Sequence, residues 1–221
     1  MQTLFITRNL ETGSPIIDWG QRNGWTIIDQ SLLRFEPVRF WLPKPCAWWF
    51  FYSPRAVEFA ANKLALCAMP LPKLAAMGPG TANALQSHDY GLSASFVGNG
   101  SPEDVANDFG RFAAGERVFF PRARQSRKTV QTLLENIVEV HDAVCYNNLP
   151  VDDPAFVHAG VYVFTSPLNV RTYLSAHPLP ADSRIIAIGP STAQALASFG
   201  VRAEIAEESS ERGIRVMLEQ G

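Results

Sequence analysis

Short apolar runs alternate along this chain with segments whose apolar positions recur at helical spacing. The first run, Thr3–Thr7, reads as a strand. After a polar turn come a helix over about Pro15–Asn23, a stop at Gly24 and a return to strand pattern in Trp25–Asp29. The three prolines between Pro37 and Pro45 bar a central strand and mark Arg34–Pro45 as a crossing linker. A buried-strand run then ends in Tyr52-Ser53-Pro54, followed by the helix RAVEFAANKLA, the short strand LAAM, a Gly-Pro turn and another helix. Glu116–Tyr146 holds a third strand–helix pattern, and Asn147–Phe156 reads as a second loop.

From Val161 onward the order returns: apolar strand, Thr165-Ser166-Pro167, helix, apolar strand, Gly-Pro-x-Thr, helix. AMGPGTANAL (Ala76–Leu85) and AIGPSTAQAL (Ala187–Leu196) agree at seven of ten positions. Ser53 precedes Gly78 by 25 positions and Ser166 precedes Gly189 by 23, so the repeated object is a βαβα block. Strands alternating with helices require parallel sheets with right-handed crossovers. Two blocks therefore predict an α/β protein of two similar parallel-sheet domains. The irregular segments on either side of the middle predict an inserted domain over residues 37–149, with 1–36 and 150–221 forming the other.

Composition narrows the function classes. With 221 residues, 47% of them hydrophobic and 18% charged, there is material for packed cores. A net charge of −2 argues against a general nucleic-acid or membrane-surface binder. The apolar run Ala47–Tyr52 is far shorter than the ~20 residues of a membrane helix. Arg8 and Glu11 interrupt the amino-terminal segment before a signal peptide could form. Three widely spaced cysteines, with no CxxC, fit a reduced cytoplasmic protein. No GxGxxG, P-loop or GxSxG sequence occurs, and no histidine has metal-ligand spacing, so neither a metal nor a nucleotide cofactor is expected.

The repeated turns carry the candidate chemistry. Gly78 and Gly189 end strands and allow close backbone approach, and the following proline suits the first helical position. The first helical N–H groups, beside Thr81 in one copy and Ser191 and Thr192 in the other, form a potential carboxylate or phosphate site. Strand-to-helix punctuation alone explains the same residues. Ser53 and Ser166 read as helix N-caps whose hydroxyls lie at strand ends. Arg117, Arg122, Arg124, Arg127 and Lys128 put five cations within twelve residues with no acid among them. That run fits either anion binding or a solvated face.

Taken together, FYSPRAVEFA with FTSPLNV, AMGPGTANAL with AIGPSTAQAL, the FEPV linker, the early ITR and the late AEESSERGIRVMLE resemble the uroporphyrinogen-III synthase family over essentially the whole chain. The resemblance implies two flavodoxin-like domains joined by a two-stranded linker, with the substrate cleft between them. It implies cofactor-independent cyclisation of the polycarboxylate hydroxymethylbilane to uroporphyrinogen III in haem biosynthesis. An azafulvene and a spiro-pyrrolenine would lie on that route, which inverts the last pyrrole ring, ring D. Tyr146 matches a family tyrosine that helps the hydroxyl leave. Ser53, Thr81, Ser166 and Thr192 match cleft-facing hydroxyls, and Arg8 and Arg122 stand where relatives place basic residues. Tyr52 departs from the family's usual threonine, and PRARQSRK replaces an Arg-Gly-Asn-type turn. A monomer is expected, in transient contact with the preceding pathway enzyme. Apart from Tyr146 and the resemblance, the same features fit a non-catalytic two-domain module that binds a small anion as a sensor or regulator.

Overall fold

A computed structural model describes residues 2–11, 13–42, 44–67, 71–87 and 91–220. Pro43, the middle proline of the first linker, lies outside the described residues. The chain divides into two compact units, one formed by Met1–Arg34 with Leu149–Gly221 and the other by Phe35–Asn148.

The chain opens with β1 (Thr3–Ile6), α1 (Pro15–Asn23) and β2 (Thr26–Asp29). The start of α1 is set by Ser14, whose Oγ accepts from the Ile16 amide at 3.2 Å. Its end is set by Gly24, which at φ 69° adopts the left-handed conformation that glycine reaches without strain. β3 (Leu33–Pro37) then carries the chain into the second unit as an edge strand, a position that tolerates its proline.

The second unit continues with β4 (Trp48–Phe51), α2 (Pro54–Ala60), a 3-10 segment at Ala61–Leu66, β5 (Lys73–Ala76) and α3 (Pro79–Ser87). β6 (Phe96–Val97), α4 (Pro102–Ala113), β7 (Arg117–Ala123), α5 (Thr129–Leu133) and β8 (Glu139–Pro150) follow. The return to the first unit supplies β9 (Val161–Phe164), α6 (Pro167–Leu174), β10 (Arg184–Ala187) and α7 (Pro190–Ser198). β11 (Glu204–Ile205) and α8 (Glu211–Glu219) end the chain's regular structure.

The sheet of the first unit has the order β11-β10-β9-β1-β2, all neighbours parallel. Read in chain order within the unit, this is the flavodoxin-like arrangement. The second sheet has the order β3-β8-β7-β4-β5-β6, with β8 through β6 parallel. The repeated βαβα block thus occupies β4–α3 in one unit and β9–α7 in the other. β11 and β6 follow the block in both units, whereas β1 and β2 precede it in the first unit and their counterparts by sheet position, β7 and β8, follow it in the second. Leaving out the edge strand β3, the chain order of each sheet is a circular permutation of the other, and the sequence repeat covers only the block.

The central strands of both sheets are buried on both faces, as parallel sheets require. In β1, Leu4 and Ile6 enter one cluster with Ile16, Trp19 and Ile214, while Phe5 enters another with Tyr162, Phe164 and Tyr173. In β4, Trp49 and Phe51 pack with α2 residues, while Trp48 and Phe50 pack against Phe109 of α4. Strands such as WWFF are continuous apolar runs because each face meets its own core.

The expected loop at Asn147–Phe156 is corrected in its first half: Asn147–Pro150 continue β8. Side chains on the preceding loop hold the strand there. Arg124 Nε donates to Asn147 Oδ1 at 2.8 Å, and the Asn148 amide donates to Gln125 Oε1 at 3.1 Å.

Candidate functional site

Open parallel sheets bind ligands beyond the carboxyl ends of their strands, at the point where strand order reverses. That point lies between β4 and β7 in the second unit and between β1 and β9 in the first.

In the second unit, β4 ends at Ser53, which caps α2 by accepting from the Ala56 amide at 3.2 Å. Ser53 Oγ also lies 3.2 Å from Tyr146 Oη, close enough for a hydrogen bond with either hydroxyl as donor. Tyr146 sits on β8 just after an irregularity in the ladder: Arg122 pairs with Val144, but Ala123 pairs with Tyr146. The skipped residue, Cys145, is a bulge, and bulges re-aim the side chains beside them. Cys145 and Tyr146 consequently enter the same core cluster, although consecutive strand residues ordinarily face opposite ways.

Only 5% of Tyr146 is exposed, and its ring stacks on Phe59 at 5.0 Å. Burial pushes its phenol above the ordinary tyrosine value, with the Ser53 hydrogen bond opposing. At neutral pH Tyr146 is therefore a neutral hydroxyl able to donate. Tyr52, the departure noted above, turns elsewhere: its Oη accepts from the Gln131 amide at 3.0 Å. Burial raises its phenol as well.

The basic run divides between internal pairing and solvent. Arg122, 9% exposed, donates from Nε to Asp142 and from a terminal nitrogen to the Ala123 carbonyl at 3.2 Å. Asp142 also accepts from Gln131 Nε2 at 3.1 Å and pairs with Lys128 Nζ at 3.3 Å. Burial alone would raise the Asp142 carboxyl. The Arg122 and Gln131 hydrogen bonds and the nearby cations outweigh it and hold the group below the usual range. Arg117 pairs with Glu139 at 3.0 Å. Arg124 and Arg127 remain exposed at the end of β7. Lys128 stands at φ 58°, the one described non-glycine residue with positive φ, so the β7–α5 turn is strained.

In the first unit, Ser166 caps α6 by accepting from the Asn169 amide at 3.1 Å. The ends of β1 and β9 are tied by Thr7 and Thr165, each of which bonds the other's backbone. Asn169 Nδ2 donates to the Thr7 carbonyl at 2.8 Å, and its buried Oδ1 has no partner among the described residues. Arg8 is exposed and 3.7 Å from Glu211, which Ser14 Oγ also contacts at 2.6 Å.

The two Gly-Pro turns share their helix-start bonds but differ in their surroundings. The Thr81 amide donates to the Gly78 carbonyl and the Thr192 amide to the Gly189 carbonyl, both at 3.1 Å, and both threonines are buried. Ser191 is exposed. A Cβ on Gly189 would lie 2.7 Å from Ser209 Oγ, whereas one on Gly78 would find ordinary contacts.

Sequence reasoning missed Thr7, Asn169, Gln131 and Asp142. Asn169 stands three residues after Ser166, within reach of its cap, and that spacing was a usable signal. Asp142 gave none, because its partners are 20 and 14 residues away and meet it only across the ladder and the following turn.

No helix among the described residues is long and apolar enough to cross a membrane. No curated protein matches the chain. The structure is similar to uroporphyrinogen-III synthetase from Helicobacter pylori, with 19% identity, a TM-score of 0.70 and 100% of both chains covered. It is also similar to a mutant uroporphyrinogen III synthase from the extremely thermophilic bacterium Thermus thermophilus, with 15% identity, a TM-score of 0.57 and coverage of 100% and 98%. At these identities the likeness establishes the fold. The family profile HEM4, uroporphyrinogen-III synthase HemD, matches residues 18–214 and so spans most of the chain. On that match, the chain belongs to the uroporphyrinogen-III synthase family.

Proposed function

We propose that Tyr146 is the hydrogen-bond donor that releases the hydroxyl of hydroxymethylbilane, and that ring closure then proceeds without a cofactor. The family's activity, uroporphyrinogen-III synthesis in the haem pathway, is that of a cyclising lyase, and its substrate is a polycarboxylate tetrapyrrole. The observation that carries the Tyr146 reading is a neutral, buried phenol, re-aimed by the Cys145 bulge and hydrogen-bonded to the cap residue Ser53.

The chemistry asks little more of the chain. A pyrrole nitrogen supplies the electron pair that expels the hydroxyl, and the donated proton lets it leave as water, giving the azafulvene. Attack by the substituted carbon of ring D gives the spiro-pyrrolenine, which fragments and recloses with that ring inverted. No net redox change occurs, so proton placement and substrate folding are the required contributions. Ser53 relays or balances the phenol proton, because its Oγ already accepts from the Ala56 amide and keeps its own proton to give.

Carboxylate recognition falls to exposed cations and helix starts: Arg8, Ser166, Gly189 and Ser191 in one unit, and Gly78, Arg124 and Arg127 in the other. The buried Thr81 and Thr192 support their turns instead. The internal pair with Asp142 argues for a structural Arg122 that shapes the turn. The chain acts as a cytoplasmic monomer that receives its unstable substrate by transient contact with the preceding enzyme. The free Cys46, Cys67 and Cys145 support a reducing compartment.

The test generates hydroxymethylbilane in situ, adds the protein, oxidises the products and separates the porphyrin isomers. Type III product is expected; type I alone, as in the blank, would overturn the reading and favour the anion-binding module.

A further inference from the structure

The second unit carries a groove of about 830 Å³ between the chain that follows β3 and the α2–3-10 segment. Aromatic and apolar side chains of Phe40, Trp41, Phe59 and Leu66 line it, together with the cations Arg39 and Lys63. Trp41 is 94% exposed and Leu66 66% exposed, so the lining includes large apolar surfaces left in water. Neither Arg39 nor Lys63 forms an ion pair among the described residues, and Lys63 Nζ stands 6.0 Å from the Phe40 ring centre. The groove reaches the strand of the proposed donor, because Cys145 lines it and Phe59 is the ring that stacks on Tyr146.

We infer that this groove holds one carboxylate-bearing pyrrole of the substrate, its ring against Trp41 and Phe59 and its carboxylate arms on Arg39 and Lys63. The inference rests on the reading of Tyr146 and hydroxymethylbilane given above. Charge complementarity selects this occupant: a flat apolar ring alone would leave two cations unpaired, and a free inorganic anion would leave Trp41 unused. A carboxylated pyrrole satisfies both features of the lining. The groove also adjoins Phe59, so an occupied groove presses on the ring that fixes Tyr146.

The test compares the wild-type chain with Trp41→Phe, Trp41→Ala and the double variant Arg39→Gln/Lys63→Gln. Two quantities are read: kinetics of type III formation, and quenching of tryptophan fluorescence by uroporphyrinogen III added anaerobically. The double variant is expected to raise KM about tenfold or more, with kcat and the type III outcome retained. Trp41→Ala raises KM in the same sense. Trp41→Phe keeps KM near wild type but loses much of the quenching, since Trp41 is the most exposed tryptophan described. Unchanged KM in the double variant and Trp41→Ala would overturn the inference while leaving the synthase reading intact. So would a concentration-dependent mass in sedimentation, abolished by Trp41→Ala at unchanged KM, since it assigns the groove to a second copy of the chain. A wild-type chain that yields only type I would instead overturn the synthase reading itself.

Discussion

Asp142 shows how a single residue redirects the chemistry of a segment. It receives Arg122, Lys128 and Gln131, so the cation that the sequence offered as an anion site is already committed. Replacing Asp142 with Asn leaves the buried Arg122 guanidinium without its counter-charge, at an expected loss of about 2–3 kcal/mol in denaturant unfolding. The pH dependence has a definite sign. The Asp142 carboxyl lies below its unfolded value, so its contribution is complete above that value, about 3.9, and fades as pH falls through the folded one. The stability gap between wild type and Asp142→Asn should therefore hold at neutral pH and narrow in acid. A gap that widens in acid would contradict the assignment. None of this could be read locally. The run from Arg117 to Lys128 contains no acid, and Glu139 and Asp142 come alongside only through the pairing of β7 with β8.

At the scale of elements, the strand-to-helix turns were the most legible features, because a capping serine, a following proline and an apolar strand act within a few residues. Ser53 and Ser166 cap their helices, and Gly24 stops α1. The end of β8 was not legible, since Asn147–Pro150 carry loop-forming residues and are held extended by Arg124 and Gln125. The two Gly-Pro turns, nearly identical in sequence, also differ in a way that only packing reveals. Gly189 is pressed by Ser209 from the turn before α8, and Gly78 has no such neighbour. Gly189→Ala should cost about 1–2 kcal/mol, and Ser209→Ala in the same chain should recover most of it. Gly78→Ala should cost less than Gly189→Ala. Equal losses for the two glycines, with no recovery by Ser209→Ala, would refute the packing account.

Over the whole molecule, the repeat was visible but the permutation was not. Sequence similarity marks β4–α3 and β9–α7, whereas β1 and β2 precede the block in the chain and their counterparts in the other sheet, β7 and β8, follow it. Their equivalence rests on position in the sheet, which tolerates wide variation among apolar side chains. The candidate site divides the same way. The hydroxyl caps were readable from motifs, and Tyr146 only from family resemblance. Its placement depends on a bulge that no local pattern announces, because Cys145 and Tyr146 share a face that alternation denies them. The central claim is that this bulged, buried phenol releases the substrate hydroxyl, and the most direct measurement is the rate of type III formation by Tyr146→Phe. The account predicts a loss of about a hundredfold in kcat with a thermal midpoint close to wild type. A kcat equal to that of the wild-type chain would contradict it.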